Sequence, residues 1–154
     1  MIHVLFVCLG NICRSPMAEA IFRDLVRKEG LENEITADSA GTGDWHIGQA
    51  PHSGTQKILT ENAIGYEGIQ ARRVEKEDLI KFDYIIAMDN KNLQDLKRLG
   101  HVHGYIGRLS DFVPNGDWTD VPDPYFTGNF NEVYDLVTDG CNRLLARIRN
   151  ERGI

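Results

Sequence analysis

Ile2-His3-Val4-Leu5-Phe6-Val7-Cys8-Leu9-Gly10-Asn11-Ile12-Cys13-Arg14-Ser15-Pro16 holds the start of a fold in a single line. Ile2 to Val7 is apolar and rich in β-branched residues, the pattern of a strand buried on both faces, as in a parallel sheet. Gly10-Asn11 interrupts it with the two residue types best suited to a left-handed turn. Ser15-Pro16 then reads as a helix N-cap followed by proline in the first turn, where a missing N–H costs nothing. Met17, Ile21, Phe22, Leu25 and Val26 fall on one face of that helix, and Gly30 closes it.

Outward from this unit the alternation continues. Glu34 to Ser39 is strand-like, and Gly41, Gly43, Gly48 and Pro51 mark a loop. A helix is expected over His52 to Asn62. Phe82 to Met88 is the clearest later strand, and Asp89 caps a helix that turns Leu93, Leu96 and Leu99 inward before Gly100. A fourth strand is expected from Tyr105 to Leu109, then a long polar loop from Ser110 to about Asn129. In the closing helix Val133, Val137, Leu144 and Ile148 share a face, with Leu136, Cys141 and Leu145 beside it. Strands alternating with helices predict right-handed crossovers. The expected fold is three-layer α/β/α with a central four-stranded parallel sheet, a single domain over 1–154. Ligands in such folds sit beyond the carboxyl ends of the strands, where the loop after the first strand lies.

The bulk composition narrows the partners. With 154 residues, 42% hydrophobic, one core suffices without staples. A net charge of -6 and the absence of a Lys/Arg run leave nucleic acid an unexpected partner. Three cysteines, Cys8, Cys13 and Cys141, form no disulfide framework, so the thiols are expected free in a reducing, cytoplasmic setting. The apolar run Val4 to Leu9 is too short for a signal peptide or a membrane span. His101 and His103 flank a turn with no ligand pattern around them, so no metal is expected; His3, His46 and His52 suggest no role. Arg72 to Asp78 mixes signs and reads as a solvated helix start. Cys141 reads as plain core.

The chemistry lies in Cys8-x5-Arg14-Ser15. Between a strand and a helix, the loop's N–H groups and the first helical turn converge on one point of positive potential, a natural oxyanion site. Arg14 adds a planar fork able to grip two phosphate oxygens. A cysteine at the rim of that field is favoured as thiolate and becomes a nucleophile. The Ser15 hydroxyl can donate to that sulfur. No Gly-x4-Gly-Lys-Ser/Thr or dinucleotide fingerprint is present, so no cofactor is expected. Cleaving a phosphate ester also needs a proton for the departing oxygen. Asp123, in Val121-Pro122-Asp123-Pro124-Tyr125, is the candidate, with Asp120 as the alternative.

These residues resemble the low-molecular-weight protein tyrosine phosphatases. The similarity rests on four blocks in the family's order: residues 7–19 around Cys8, Asp38-Ser39-Ala40-Gly41-Thr42, Phe82 to Asp89, and Asp123-Pro124-Tyr125. It implies hydrolysis of phosphotyrosine on proteins and of small aryl phosphates through a phosphocysteine, by a monomer or weakly self-associating chain. Cys8 is then the nucleophile, Arg14 the phosphate clamp and Asp123 the general acid and later base. Substrate is bound by Leu9, Gly10, Asn11, Ile12, Cys13, Ser15, Trp45 and Tyr125, with Phe126 nearby and Ser39 supporting the loop. The resemblance also implies that Cys13 traps oxidised Cys8 as a disulfide. Two positions depart from the pattern: Ile69 stands where members often carry a histidine bonded to the loop asparagine, and Phe126 stands where many have a second tyrosine.

Three rival functions fit these residues less well. An arsenate reductase on this fold needs relay cysteines in mid-chain, and none lies between Cys13 and Cys141. A protein arginine phosphatase of the same family usually has threonine where Ile12 stands. A non-catalytic phosphate-binding module needs neither nucleophile nor acid.

Overall fold

In a computed structural model, which describes residues 1–114 and 118–154, four strands form one parallel sheet in the order β2-β1-β3-β4. They are β1 (Ile2–Cys8), β2 (Ile35–Gly41), β3 (Tyr84–Ala87) and β4 (Tyr105–Arg108). The helices are α1 (Arg14–Lys28), α2 (Ser53–Glu61), α3 (Lys76–Lys81), α4 (Asn90–Leu99), α5 (Pro124–Thr127) and α6 (Phe130–Arg152). The three-layer α/β/α fold expected from the alternation is present.

Strand alternation divides the interior in two. Val4, Phe6 and Cys8 of β1 join Met17, Ile21 and Phe22 of α1 and Val133, Val137, Cys141 and Leu144 of α6 on one face. Leu5 and Val7 join Leu79 of α3 and Leu93 and Leu96 of α4 on the other. Central strands buried on both faces need the continuous apolar run that β1 has. Phe6 and Phe22 meet edge to face, with ring centroids 5.5 Å apart, an arrangement aromatic quadrupoles favour. In register, Cys8 ends β1 opposite Gly41 of β2, so the nucleophile candidate sits at the carboxyl edge of the sheet.

Four local readings are corrected. Helix α1 begins at Arg14 with Cys13 at its N-cap and no side-chain cap, because the Ser15 hydroxyl lies 3.0 Å from Cys8 Sγ. The long loop is broken by a 3-10 turn at Leu109–Phe112 and by α5, whose N-cap is Asp123; its residues 115–117 lie outside those described. Arg72 is not part of a solvated helix start. It is half-buried and bonds Asp38 of β2 (3.0 Å) and Asp78 of α3 (2.9 Å), and α3 starts only at Lys76. His52 does have a role: its Nδ1 accepts the Gly54 N–H at 3.0 Å and caps α2.

Candidate active site

The phosphate-loop candidate runs from Cys8 to the first turn of α1. Asn11 takes φ 55°, the left-handed conformation in which Asn is tolerated, and this turn aims its N–H at Cys8 Sγ (3.3 Å). Three loop carbonyls are held outward: that of Cys8 by the Thr42 N–H (3.0 Å), that of Leu9 by Gly43 (2.9 Å) and that of Ile12 by His52 (2.7 Å). Thr55 of α2 adds a hydroxyl bond to the Cys13 carbonyl at 3.2 Å. The loop is thus clasped from outside by the segment after β2 and by the start of α2.

Behind the loop, Asn11 Nδ2 donates to Ser15 Oγ (2.7 Å) and to Ser39 Oγ (3.0 Å). Its Oδ1 accepts the Arg72 N–H at 2.9 Å. Ser39 in turn donates to Glu19 Oε1 at 2.7 Å. Ile69, at the departure from the family's pattern, is a buried apolar residue, and the donor on Asn11 is a main-chain amide.

Arg14 is almost completely buried. Its NH1 donates to Asp89 Oδ2 (2.6 Å) and to the Val121 carbonyl (3.0 Å), and NH2 lies 3.4 Å from Asp123 Oδ2. Burial works against its charge, but Cys8, Asp89 and Asp123 more than offset this and push its pKa up. Its Nε is buried and has no partner among the described residues. Asp89 also caps α4, accepting the Asn92 N–H at 2.8 Å. Val121 is pinned on its other side by its N–H to the Met88 carbonyl (2.9 Å), which holds the following Asp123 over the loop.

A cavity of about 410 Å³ opens above. Cys8, Leu9, Gly10, Ile12, Cys13, Arg14, Trp45, Asp123 and Tyr125 all line it, joined by Phe126 and His46. The rim is apolar and exposed, with Trp45 at 65%, Tyr125 at 54% and Phe126 at 76% of full exposure. Asn11, Ser15 and Ser39 do not line the cavity; they are buried beneath the loop. Asp120 is directed elsewhere, accepting the Asn90 N–H at 3.0 Å. The thiol of Cys13 is pushed up to about 12 by burial and by the negative charges of Cys8 and Asp123, with Arg14 opposing. Sequence reasoning missed Glu19, Asp89 in its second role, His46 and the Arg72 amide. His46 lies within reach of Gln49, Nδ1 to Oε1 3.1 Å, and no sequence spacing announces its place on the rim.

Fold and site together define an α/β protein whose first loop brings a thiol and a guanidinium to the same cavity as a carboxyl group from a later loop. The chain belongs to the family described as low molecular weight phosphotyrosine protein phosphatase, whose model matches residues 3–153. It is 58% identical to the low molecular weight protein-tyrosine-phosphatase YfkJ of Bacillus subtilis, over 99% of each chain. The crystal structure of YfkJ superposes with a TM-score of 0.96, covering 98% of this chain and 96% of that one. PtpA of Staphylococcus epidermidis, a low molecular weight protein-tyrosine-phosphatase, is 47% identical over 96% of this chain and 94% of its own. The Drosophila arginine phosphatase DARP is similar in structure, with a TM-score of 0.88 at 35% identity over 95% and 97% of the two chains.

Proposed function

We propose that this chain, as one domain over 1–154, hydrolyses phosphotyrosine on cytoplasmic proteins and small aryl phosphates through a phosphocysteine on Cys8. The observation that carries this is a single cavity lined at once by Cys8, Arg14 and Asp123. The phosphoryl group docks on the loop's N–H edge, and the Nε and NH2 side of Arg14 binds two of its oxygens, while Asp89 and Val121 hold NH1. Cys8 Sγ attacks phosphorus in line with the ester oxygen. The P–O bond breaks as Asp123 protonates that oxygen, and tyrosine leaves. Asp123, now a carboxylate, takes a proton from water, which attacks the phosphocysteine and releases phosphate. Ser15, at 3.0 Å from Sγ, donates to the departing thiolate.

The walls support an aryl ester. Trp45, Tyr125 and Ile12 line the same cavity as Cys8, apolar walls on which an aromatic ring can pack with its phosphate toward the thiolate. Ile12 presents an apolar wall where a guanidinium substrate would gain from a polar one, which favours phosphotyrosine over phosphoarginine. Cys13, which lines the cavity beside Cys8, is assigned the role of protecting Cys8 after oxidation: its thiol attacks the sulfenic sulfur of Cys8, and water leaves as the disulfide forms.

Hydrolysis of 4-nitrophenyl phosphate tests the reading. Cys8→Ser is expected to abolish turnover while inorganic phosphate still binds. Asp123→Ala is expected to slow esters by about 10²- to 10⁴-fold, most for poor leaving groups. Acid-quenched enzyme that never carries phosphorus on Cys8 would refute the mechanism.

A further inference from the structure

We propose that Glu19 is a positioning residue for the nucleophile, its carboxyl group accepting the Ser39 proton and so fixing the direction of a hydrogen-bond chain that ends on Cys8 Sγ. This rests on the reading of Cys8 as nucleophile. Glu19 lies on α1 one turn beyond Ser15, on the same helical face, and is only 6% exposed. A glutamate so placed is otherwise a costly core residue.

The sense of the chain follows from what each group can give. Glu19 Oε1 takes the Ser39 hydroxyl proton at 2.7 Å, and this leaves Ser39 Oγ to accept from Asn11 Nδ2 at 3.0 Å. The second Nδ2 hydrogen goes to Ser15 Oγ at 2.7 Å. Asn11 cannot present its amide the other way round, because the Arg72 N–H occupies Oδ1 at 2.9 Å. Ser15 already accepts, and its own proton is directed to Sγ at 3.0 Å. A donor there favours the thiolate, both before attack and when sulfur leaves phosphorus. Without an acceptor at residue 19, Ser39 is free to turn its proton elsewhere, and the Asn11 amide loses one of the two bonds that orient its donor end.

Around the carboxyl group stand Arg23 on α1, NH1 to Oε2 3.6 Å, Asp38 on β2 and Arg72 beyond it. Burial is the largest influence and lifts Glu19 to about 7, with Asp38 adding to this and the Ser39 hydrogen bond, Arg23 and Arg72 opposing. An acceptor oxygen is present in both protonation states, so the role requires an acceptor and not a charge. That distinguishes it from a charge effect on the thiol.

The test compares Glu19→Leu, Glu19→Gln and Ser39→Ala in the full chain. Cys8 alkylation by iodoacetamide is followed against pH, and kcat and KM are measured for 4-nitrophenyl phosphate. Glu19→Leu is expected to move the alkylation midpoint to higher pH and to lower kcat about tenfold, with KM within about twofold, the scale of one lost bond to a charged group. Ser39→Ala should do the same, and combining it with Glu19→Leu should add little. Glu19→Gln, which keeps an acceptor oxygen, should recover most of both losses. A Glu19→Leu protein that is folded and alkylates like wild type overturns the proposal, as does Glu19→Gln behaving like Glu19→Leu. Should Glu19→Leu fail to fold, an unshifted midpoint in Ser39→Ala overturns it equally. The alkylation measurement needs no substrate. Wild type that hydrolyses no aryl phosphate therefore overturns the proposed function and leaves this test standing.

Discussion

Replacing Glu19 by glutamine makes the cost of the buried carboxylate measurable. The group rises from its ordinary 4.5 to about 7 in the folded chain, chiefly through burial. Between those values the folded protein binds a proton that the unfolded chain has released, so stability falls as pH rises through this window. At about 1.4 kcal/mol for each pH unit of the gap, ionising Glu19 costs about 3 kcal/mol by pH 8. Glutamine has the shape of the protonated form and cannot ionise. Urea denaturation of wild type and Glu19→Gln, followed by circular dichroism in phosphate-free buffer, should give stabilities within about 1 kcal/mol of each other at pH 5. The variant should become the more stable as pH rises, by about 3 kcal/mol at pH 8, or about 6–12 °C in Tm for a domain of this size. All other titrating groups are shared and cancel in the difference. Two stability curves that run parallel from pH 5 to pH 8 would refute the argument, and with it the reading of Glu19 as a desolvated carboxyl group.

Asp89→Ala removes both the cap of α4 and the anchor of Arg14. It should lower Tm by about 2–4 °C for the lost cap and weaken inhibition by inorganic phosphate about tenfold for the loosened clamp, read by calorimetry and steady-state kinetics. Gly54→Ala should destabilise by about 1–3 kcal/mol in urea, because a Cβ there would run into the Phe130 ring; unchanged stability would mean the ring simply moves. After brief peroxide treatment, wild type should regain activity on reduction while Cys13→Ser should not. Mass spectrometry showing sulfinic Cys8 without any Cys8–Cys13 bond in wild type would exclude the protective role.

The parts of the site legible in the sequence were those written locally. Cys8, Arg14 and Ser15 share one strand-loop-helix, and the conformation of Asn11 follows from its residue type beside Gly10. Asp123 was one of two carboxyl candidates until the family's pattern separated it from Asp120. What was hidden depends on contacts far apart in the chain. Asp89 reads correctly as a helix cap, but nothing in residues 89–92 reveals that its second oxygen reaches Arg14, seventy-five positions earlier. Glu19 looks like any helical carboxylate, a type whose default place is solvent, and only the packing of α1 on β2 removes it from water. Arg72 misled for a related reason: its mixed-charge neighbours suggest exposure, whereas its guanidinium ties β2 to α3. His52 carried no signal, because a histidine at a helix start is an uncommon cap.

That Asn11 is steadied by the peptide N–H of residue 72 has a consequence for how this loop can vary. An imidazole in that place would gain and lose protons in the physiological range and would vanish with one codon change. A main-chain donor does neither: it is indifferent to acidity, and every residue except proline supplies it. Drift at position 72 can therefore rewire the link between β2 and α3 without withdrawing this donor from the asparagine.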